Sequence, residues 1–298
     1  MAPLVIPPPL RPGVTVRVIA PASPFDRTLA LCGIAFLGER YHVEFDWRIF
    51  ERDGFLAGSD ERRRDELSRA LEAPHVAAIV AARGGYGITR VASDVDFGAL
   101  ARAPKWLIGF SDVTALHVEA QAVGVASLHA HHAADLDRSD AHARQHWIEA
   151  LESPLAPRGL RGRSLRPGLV RGPLVGGNLT VLFTCAVTGR LRLPPGAILA
   201  IEDVTEASYR VDRMLSALRL GGHLRGVAGV AVGRFTDCPP GPHGVSVERV
   251  LERELLQLGV PVVSGLPFGH ELPNEPVLLG AEAELDAEHG WLRLGELP

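Results

Sequence analysis

The sequence has few cysteines, no excess of basic residues and no long apolar runs. The three cysteines, Cys32, Cys185 and Cys238, form neither a CxxC pair nor a disulfide framework. Lysine and arginine total 31 against 35 acidic residues, so the formal net charge of −4 provides no excess of positive charge for binding phosphates. No apolar segment reaches the length of a membrane span. We therefore expect a protein of the reducing cytoplasm, without nucleic-acid or membrane partners.

The N-terminus lacks the features of a signal peptide. It has no charged n-region, and prolines interrupt its apolar residues, so we expect no export. The composition, with 46% hydrophobic and 22% charged residues, is typical of a globular protein. A chain of 298 residues is long enough for two domains.

The first half alternates strand-like apolar runs with helical patterns. This alternation predicts an α/β domain with a mainly parallel sheet over residues 1–152. Residues 153–168 are rich in Pro, Gly and Arg without apolar periodicity, and we expect them to be a linker. Residues 169–298 would then form the second domain. The strands expected in the first half are residues 14–20, 42–47, 75–82, 105–110 and 126–130.

Ser111 follows the apolar strand that ends at Gly109 and precedes a predicted helix. A nucleophile suits this position, because the first N–H groups of a helix have no internal partner and can stabilise a nearby anion. The alternative is that Ser111 only caps the helix. The flanking sequence also lacks the second glycine of the Gly-x-Ser-x-Gly elbow, which argues against an ordinary α/β-hydrolase.

A glycine-rich loop, residues 83–87, follows another predicted strand. It lacks the GxGxxG spacing and the lysine of phosphate-binding loops. An oxyanion hole formed by an N–H of Gly84 or Gly85 and the N–H of Asp112 is the more natural role, although a simple tight turn also requires glycines.

A serine nucleophile needs a base, which is usually a histidine oriented by a carboxylate. His270 lies in a Gly- and Pro-rich loop beyond an apolar strand, and Glu202 is the first polar residue after the run 197–201. The alternative is that both are ordinary loop residues.

Histidines also cluster in residues 129–135, together with Asp135. Such a cluster could ligate zinc or a metal pair, but its spacing matches no standard hydrolase, and the alternative is a polar loop. A metal-dependent amidohydrolase therefore stays open as a rival interpretation.

Several short motifs occur in order along the chain: APASP (20–24), FLAGSD (55–60), ARGGYG (82–87), IGFSDVT (108–114), GGNL (176–179), IEDV (201–204) with Tyr209, Asp212 and Arg213, VGRF (232–235) and GH (269–270). Together they resemble the LD-carboxypeptidases, serine peptidases that include the microcin C immunity peptidases. The chain departs from the family pattern at residues 129–131, where the family commonly has His-Gly-Pro.

The resemblance implies Ser111 as nucleophile, Glu202 as acid, His270 as base, and oxyanion donors from Gly84, Gly85 and Asp112. It implies a layered α/β N-terminal domain, a β-rich C-terminal α/β domain, an active site at their interface and a homodimer. No metal or organic cofactor is implied.

The expected function is a serine carboxypeptidase that removes terminal D-Ala from a murein tetrapeptide by cleaving an L-to-D bond. One alternative is a microcin C immunity-like peptidase acting on aminoacyl-adenylate analogues. Family members of that kind carry aromatics in an insertion that stacks the nucleobase, whereas residues 130–173 are compact here, with Trp147 on a predicted helix. Another alternative is a two-domain ligand-binding protein without catalysis.

Overall fold

The computed structural model describes residues 4–297, and the chain forms two compact units. The first unit comprises the chain up to Pro154 together with Pro276–Gly280. The second comprises Leu155–Glu275 and the chain from Ala281 onward. None of the helices among these residues is both long and apolar enough to cross a membrane.

The first unit contains a six-stranded sheet with the order β12-β5-β4-β3-β1-β2. Only β12 runs antiparallel to its neighbour, so the predicted, mainly parallel sheet is confirmed. All four residues of β4 are buried, as expected for a strand with both faces covered. The strands, numbered in chain order through both units, are β1 (Thr15–Ile19), β2 (His42–Glu44), β3 (Val76–Ala81), β4 (Trp106–Gly109), β5 (Ser127–His129) and β12 (Val277–Leu279).

Six α-helices accompany this sheet. Polar residues begin several of them: Asp26, Ser59 and Asp140 each accept a hydrogen bond from a backbone N–H of the first turn. The helices are α1 (Arg27–Gly38), α2 (Asp60–Glu72), α3 (Gly98–Arg102), α4 (Thr114–Ala122), α5 (Ala133–Leu136) and α6 (Ala141–Glu152).

The second unit contains an eight-stranded sheet with the order β6-β14-β13-β8-β9-β10-β11-β7. The central run from β8 to β11 is parallel, and the other pairings are antiparallel. Only Gly162 separates β6 from β7, the two edges, so the sheet curls back into a barrel-like form. The strands are β6 (Arg158–Arg161), β7 (Arg163–Arg166), β8 (Leu169–Asn178), β9 (Ile198–Val204), β10 (Gly229–Thr236), β11 (Val262–Ser264), β13 (Glu282–Asp286) and β14 (Trp291–Leu294).

Three α-helices belong to the second unit: α7 (Leu179–Val187), α8 (Ser208–Leu220) and α9 (Val247–Leu256). The mixture of helices and a curled sheet confirms the expected β-rich α/β class. The apolar residues 198–201 of β9 and 230–232 of β10 are buried and contribute to this unit's core.

The division of the chain differs from the sequence-based expectation in two places. Residues 153–168, expected to be a linker, contain β6 and β7 and belong largely to the second unit. Their side chains are mostly exposed, and backbone pairing rather than an apolar face holds them in the sheet. Residues 276–280 were assigned to the second domain but belong to the first unit, because β12 pairs with β5.

Candidate active site

Three neighbouring parallel strands of the first unit lead into the segments that the sequence singled out. β3 precedes the glycine loop (residues 83–87), β4 precedes Ser111, and β5 precedes His132. Since β4 lies between β3 and β5 and runs parallel to both, the three segments leave the sheet at the same edge. Ligands bind at this edge in open parallel sheets.

Ser111 lies on a strained turn between β4 and α4. Its φ of 60° is one of three positive values found for non-glycine residues in the described chain. A side chain is disfavoured in this left-handed region, so the surrounding structure must enforce it. Ser111 is the first residue of a 3-10 helix whose N-cap is Phe110, and it is partly exposed. It therefore does not hold the N-cap position, and its geometry is typical of a nucleophile elbow.

The glycine loop lies directly against Ser111. A Cβ atom added to Gly84 would lie 3.0 Å from the Cβ of Ser111, so a larger residue would not fit without movement. Gly85 has a φ of 111°, and a Cβ there would lie 2.5 Å from the side chain of Ser23. Among residues 4–297, the N–H groups of Gly84 and Gly85 donate no hydrogen bond. The loop is thus able to offer donors to an oxyanion beside the serine.

Ser23 holds the glycine loop in place. Its backbone N–H donates to the carbonyl of Gly84 at 3.3 Å, and its Oγ accepts from the N–H of Tyr86 at 3.0 Å. Ser23 follows β1, the strand next to β3. Ser23 belongs to the motif APASP (20–24), but its role in holding the loop was not predicted from the sequence.

The side chain of Asp112 ties the serine turn to the glycine loop. It is 3% exposed, and its Oδ2 accepts a hydrogen bond of 2.9 Å from the N–H of Ile88, directly after the loop. Burial raises the pKa of this carboxyl to about 6, although the Ile88 hydrogen bond acts in the opposite direction. The contact fixes the spacing between the two segments that would supply oxyanion donors.

His132 supports the serine turn from the end of β5. Its Nδ1 lies 2.8 Å from Asp135 Oδ2, its Nε2 lies 3.0 Å from the carbonyl oxygen of Phe110, and its ring stacks on Phe110 at a centroid distance of 4.4 Å. Both ring nitrogens of His132 therefore already have partners within the first unit. This arrangement is that of a structural support for the residue preceding Ser111, not of a metal ligand.

A second histidine holds the end of β4. His117 of α4 contacts Ser127 Oγ through Nδ1 at 2.9 Å and the carbonyl oxygen of Gly109 through Nε2 at 3.0 Å. Burial lowers its pKa to about 3, so the ring is neutral at physiological pH. No sequence signal indicates this role, because one partner of His117 is a backbone carbonyl and the other is a buried serine.

In the second unit, Glu202 and His270 form a hydrogen-bonded pair. Nδ1 of His270 lies 2.7 Å from Oε2 of Glu202. The Glu202 side chain is fully buried, whereas that of His270 is 17% exposed. Gly269 lies so close that an added Cβ would be 3.1 Å from Oε2 of Glu202. A buried carboxylate on Nδ1 is the arrangement that orients the base of a serine hydrolase.

The neighbouring carboxylate, Asp203, anchors the end of β9. Its Oδ1 accepts from Asn178 Nδ2 at 2.9 Å, and its Oδ2 accepts from the backbone N–H and the hydroxyl of Thr180 at 3.0 and 2.8 Å. Burial, and then the charge of Glu202, raise the pKa of Asp203 to about 6. These bonds connect β9 to the start of α7 and fix the strand that carries Glu202.

The candidate residues thus fall into two groups. The first unit brings Ser111 and Asp112 together with the glycines 84–85. The second unit brings Glu202 together with His270. The supporting residues His117 and His132 were missed as such; His132 had been noted only within a possible metal cluster.

Two segments of the chain match families of known proteins. Residues 16–130 match the LD-carboxypeptidase N-terminal domain, and residues 171–285 match the LD-carboxypeptidase C-terminal domain. A protein of Synechocystis sp. named as a carboxypeptidase is 40% identical over 95% of this chain and 95% of its own length. The murein tetrapeptide carboxypeptidase of Pseudomonas aeruginosa is 34% identical over 91% of this chain and 92% of its own.

Solved structures agree with these matches. The muramoyltetrapeptide carboxypeptidase from Oxalobacter formigenes aligns with a TM-score of 0.85 and 30% identity, covering 96% of this chain and 100% of that one. The microcin C7 self immunity protein MccF, in complex with aspartyl sulfamoyl adenosine, aligns with the same TM-score of 0.85 but 20% identity, over 98% and 99% of the two chains. The latter likeness concerns the fold. With both family segments matched in order and relatives above 30% identity along nearly the whole length, the chain belongs to the LD-carboxypeptidase family, and it is a serine carboxypeptidase.

Proposed function

We propose that the protein removes the terminal D-Ala of murein tetrapeptide by hydrolysing an L-to-D peptide bond. The main support for this chemistry is that the strained Ser111 lies beside the N–H groups of Gly84 and Gly85, which donate no hydrogen bond within residues 4–297. The substrate is inferred from the relatives named murein tetrapeptide and muramoyltetrapeptide carboxypeptidase, at 34% and 30% identity.

In the proposed mechanism, Ser111, His270 and Glu202 act as a catalytic triad. His270 takes the proton of the Ser111 hydroxyl while the oxygen attacks the scissile carbonyl, and Glu202 stabilises the resulting imidazolium through Nδ1. The N–H groups of Asp112 and of the glycine loop stabilise the oxyanion. His270 then protonates the leaving amine of D-Ala. In the second half, His270 takes a proton from water as the water oxygen attacks the acyl-enzyme, and it returns that proton to Ser111 as the ester bond breaks.

The experiment compares release of D-Ala from a murein tetrapeptide by the wild type, Ser111→Ala and Ser68→Ala. Ser68 lies on α2 and serves as the matched control. We expect release by the wild type and Ser68→Ala, and a loss of about 10³-fold or more in Ser111→Ala. A tetrapeptide ending in L-Ala should not be cleaved. Unchanged turnover in Ser111→Ala, or no cleavage of any peptide by the wild type, would overturn the proposal.

Activity on aminoacyl-adenylate analogues is the alternative within the family. Trp147 argues against it in this chain, because its ring is fully buried and its Nε1 donates to the carbonyl of His131 at 3.1 Å. It therefore cannot present its face to a nucleobase. A peptidyl-adenylate analogue assayed beside the tetrapeptide separates the two: we expect a kcat/KM far higher for the tetrapeptide.

The proposed setting is peptidoglycan recycling in the cytoplasm by a homodimer. The family resemblance supports peptidoglycan recycling and the homodimer, and the three scattered cysteines support the cytoplasm. Light scattering after gel filtration should give about twice the chain mass of 31.9 kDa, whereas a single-chain mass at micromolar concentration would contradict the dimer.

A further inference from the structure

Arg234 occupies a β-bulge opposite Glu202. In the pairing of β9 with β10, Val232 lies opposite Ile201 and Phe235 opposite Asp203, so the two residues 233–234 face the single residue Glu202. A bulge of this kind bends the strand and redirects a side chain, and bulges are frequent beside active sites. The irregularity therefore falls at the strand position that carries the candidate catalytic acid.

The backbone of Arg234 is also fixed to the loop that carries His270. Its N–H donates to the carbonyl oxygen of Phe268 at 2.8 Å, and its own carbonyl oxygen lies 3.3 Å from the Cβ position of Gly269. Gly233 packs just as closely, since an added Cβ would lie 2.6 Å from the Phe268 oxygen. Arg234 is thus held between the strand of Glu202 and the loop of His270.

The guanidinium of Arg234 forms no ion pair within the described chain. Its Nε is buried and makes no hydrogen bond, and none of the carboxylates in residues 4–297 forms an ion pair with it. By contrast, Arg171, Arg219, Arg253 and Arg293 of the same unit each pair with a carboxylate. Placing a cation in a partly buried position without a partner is unfavourable, so such a site is suited to an anionic ligand.

The proposed reaction brings an anion to this neighbourhood. His270 protonates the leaving nitrogen of D-Ala, and the terminal carboxylate is attached to the carbon next to that nitrogen. The group that binds the carboxylate must therefore lie beside His270. Arginine is well suited to binding the carboxylate, because its planar guanidinium can donate two parallel hydrogen bonds to the two carboxylate oxygens.

From the bulge, the tether to residues 268–269 and the unpaired guanidinium, we propose that Arg234 binds the C-terminal carboxylate of the leaving D-amino acid. This role rests on the proposed carboxypeptidase function, and it makes Arg234 the residue that restricts cleavage to chain ends. Arg234 is then a specificity-determining residue: it discriminates a free terminal carboxylate from a blocked or extended one.

The test compares two substrates, the tetrapeptide with a free C-terminal carboxylate and the same peptide as its C-terminal amide. For the wild type we expect a large preference for the acid. Arg234→Gln should raise KM for the acid by about 10- to 100-fold, the usual range for losing a charge-assisted pair. It should leave kcat/KM for the amide nearly unchanged. Arg234→Lys should recover part of the preference as a single positive charge.

Arg249→Gln, an exposed arginine of α9, is the matched control and should retain the wild-type preference. If Arg234→Gln lowers activity on acid and amide equally, Arg234 has only a structural role and the inference is wrong. The same conclusion follows if the variant keeps the full preference for the acid. If the wild type cleaves neither peptide, the proposed function itself fails, a result distinct from both of these.

Discussion

At the scale of single residues, the backbone of Ser111 is strained at the position of the proposed nucleophile. The left-handed conformation costs a residue with a Cβ roughly 1–2 kcal/mol relative to glycine, partly offset by the greater freedom of glycine in the unfolded chain. The φ of 60° at this position is therefore a cost to folding, which the proposed catalytic role of Ser111 explains.

Ser111→Gly should consequently be more stable than Ser111→Ala, by about 1 kcal/mol, while neither variant has activity. Thermal unfolding of the two proteins in the same buffer measures the difference. Equal stability, or a less stable glycine variant, would show that the turn does not hold this residue under strain.

The buried carboxyl of Asp112 makes stability depend on pH. Its pKa of about 6 in the folded protein lies above the usual 3.8, so between these values the unfolded chain has lost a proton that the folded chain retains. The stabilisation of the folded state by the protonated Asp112 carboxyl is fully present below about pH 4 and is lost as the pH rises through 6.

The isosteric variant Asp112→Asn lacks this titration. Its free energy of unfolding should therefore rise relative to that of the wild type between pH 4 and pH 7, by about 2–3 kcal/mol. Urea unfolding at pH 4, 5, 6 and 7 measures this, with the exposed Asp137→Asn as control for removing a carboxylate. A difference that does not change with pH would contradict the buried state of Asp112.

At the scale of elements, parallel strands determine where each group lies. The glycine loop, Ser111 and His132 follow adjacent strands of the first sheet, while Asn178 and Glu202 lie at the ends of adjacent strands of the second. The glycine loop packs closely against Ser111, since a Cβ added to Gly84 would lie 3.0 Å from the Cβ of Ser111.

Gly84→Ala tests that contact. The new methyl group would lie 3.0 Å from Ser111 Cβ and 3.1 Å from the His132 ring, so the loop or the serine must shift. We expect kcat to fall by about 10²-fold, in line with misplacing one oxyanion donor. Gly38→Ala, at an exposed helix end with open space around the added atom, should leave kcat at its wild-type value. Equal effects of both changes would argue against the proposed oxyanion role.

Much of this arrangement was predictable from the sequence, because apolar runs followed by glycine or a polar residue mark the ends of buried strands. Ser111 and Glu202 were found in this way. The segment 153–168 was not recognised as strands, since β6 and β7 are edge strands with mostly exposed side chains and therefore no apolar pattern. The roles of His117 and His132 depend on backbone carbonyls brought close only by folding.

At the scale of the whole molecule, the candidate residues are divided between the two units. The proposed nucleophile and oxyanion donors belong to the first, and the proposed acid and base belong to the second. The pairing of strands within one unit cannot be predicted from local sequence alone. Pro276–Gly280, for example, belongs to the first unit because β12 pairs with β5, which lies nearly 150 residues earlier in the chain. The ordered family motifs, in contrast, implied that Ser111, Glu202 and His270 act together, which no local pattern could establish.

Catalysis is proposed to begin when Ser111 attacks the substrate while His270 takes the proton of its hydroxyl. The most direct measurement traps a covalent adduct with a phosphonate analogue of the tetrapeptide and locates it by mass spectrometry. Trypsin should release residues 106–138, which contain Ser127 as well, so fragmentation must assign the added mass to Ser111. We predict one adduct, on Ser111, absent from Ser111→Ala and formed at least 10²-fold more slowly in His270→Ala. An adduct on another residue, or undiminished labelling of His270→Ala, would contradict the account.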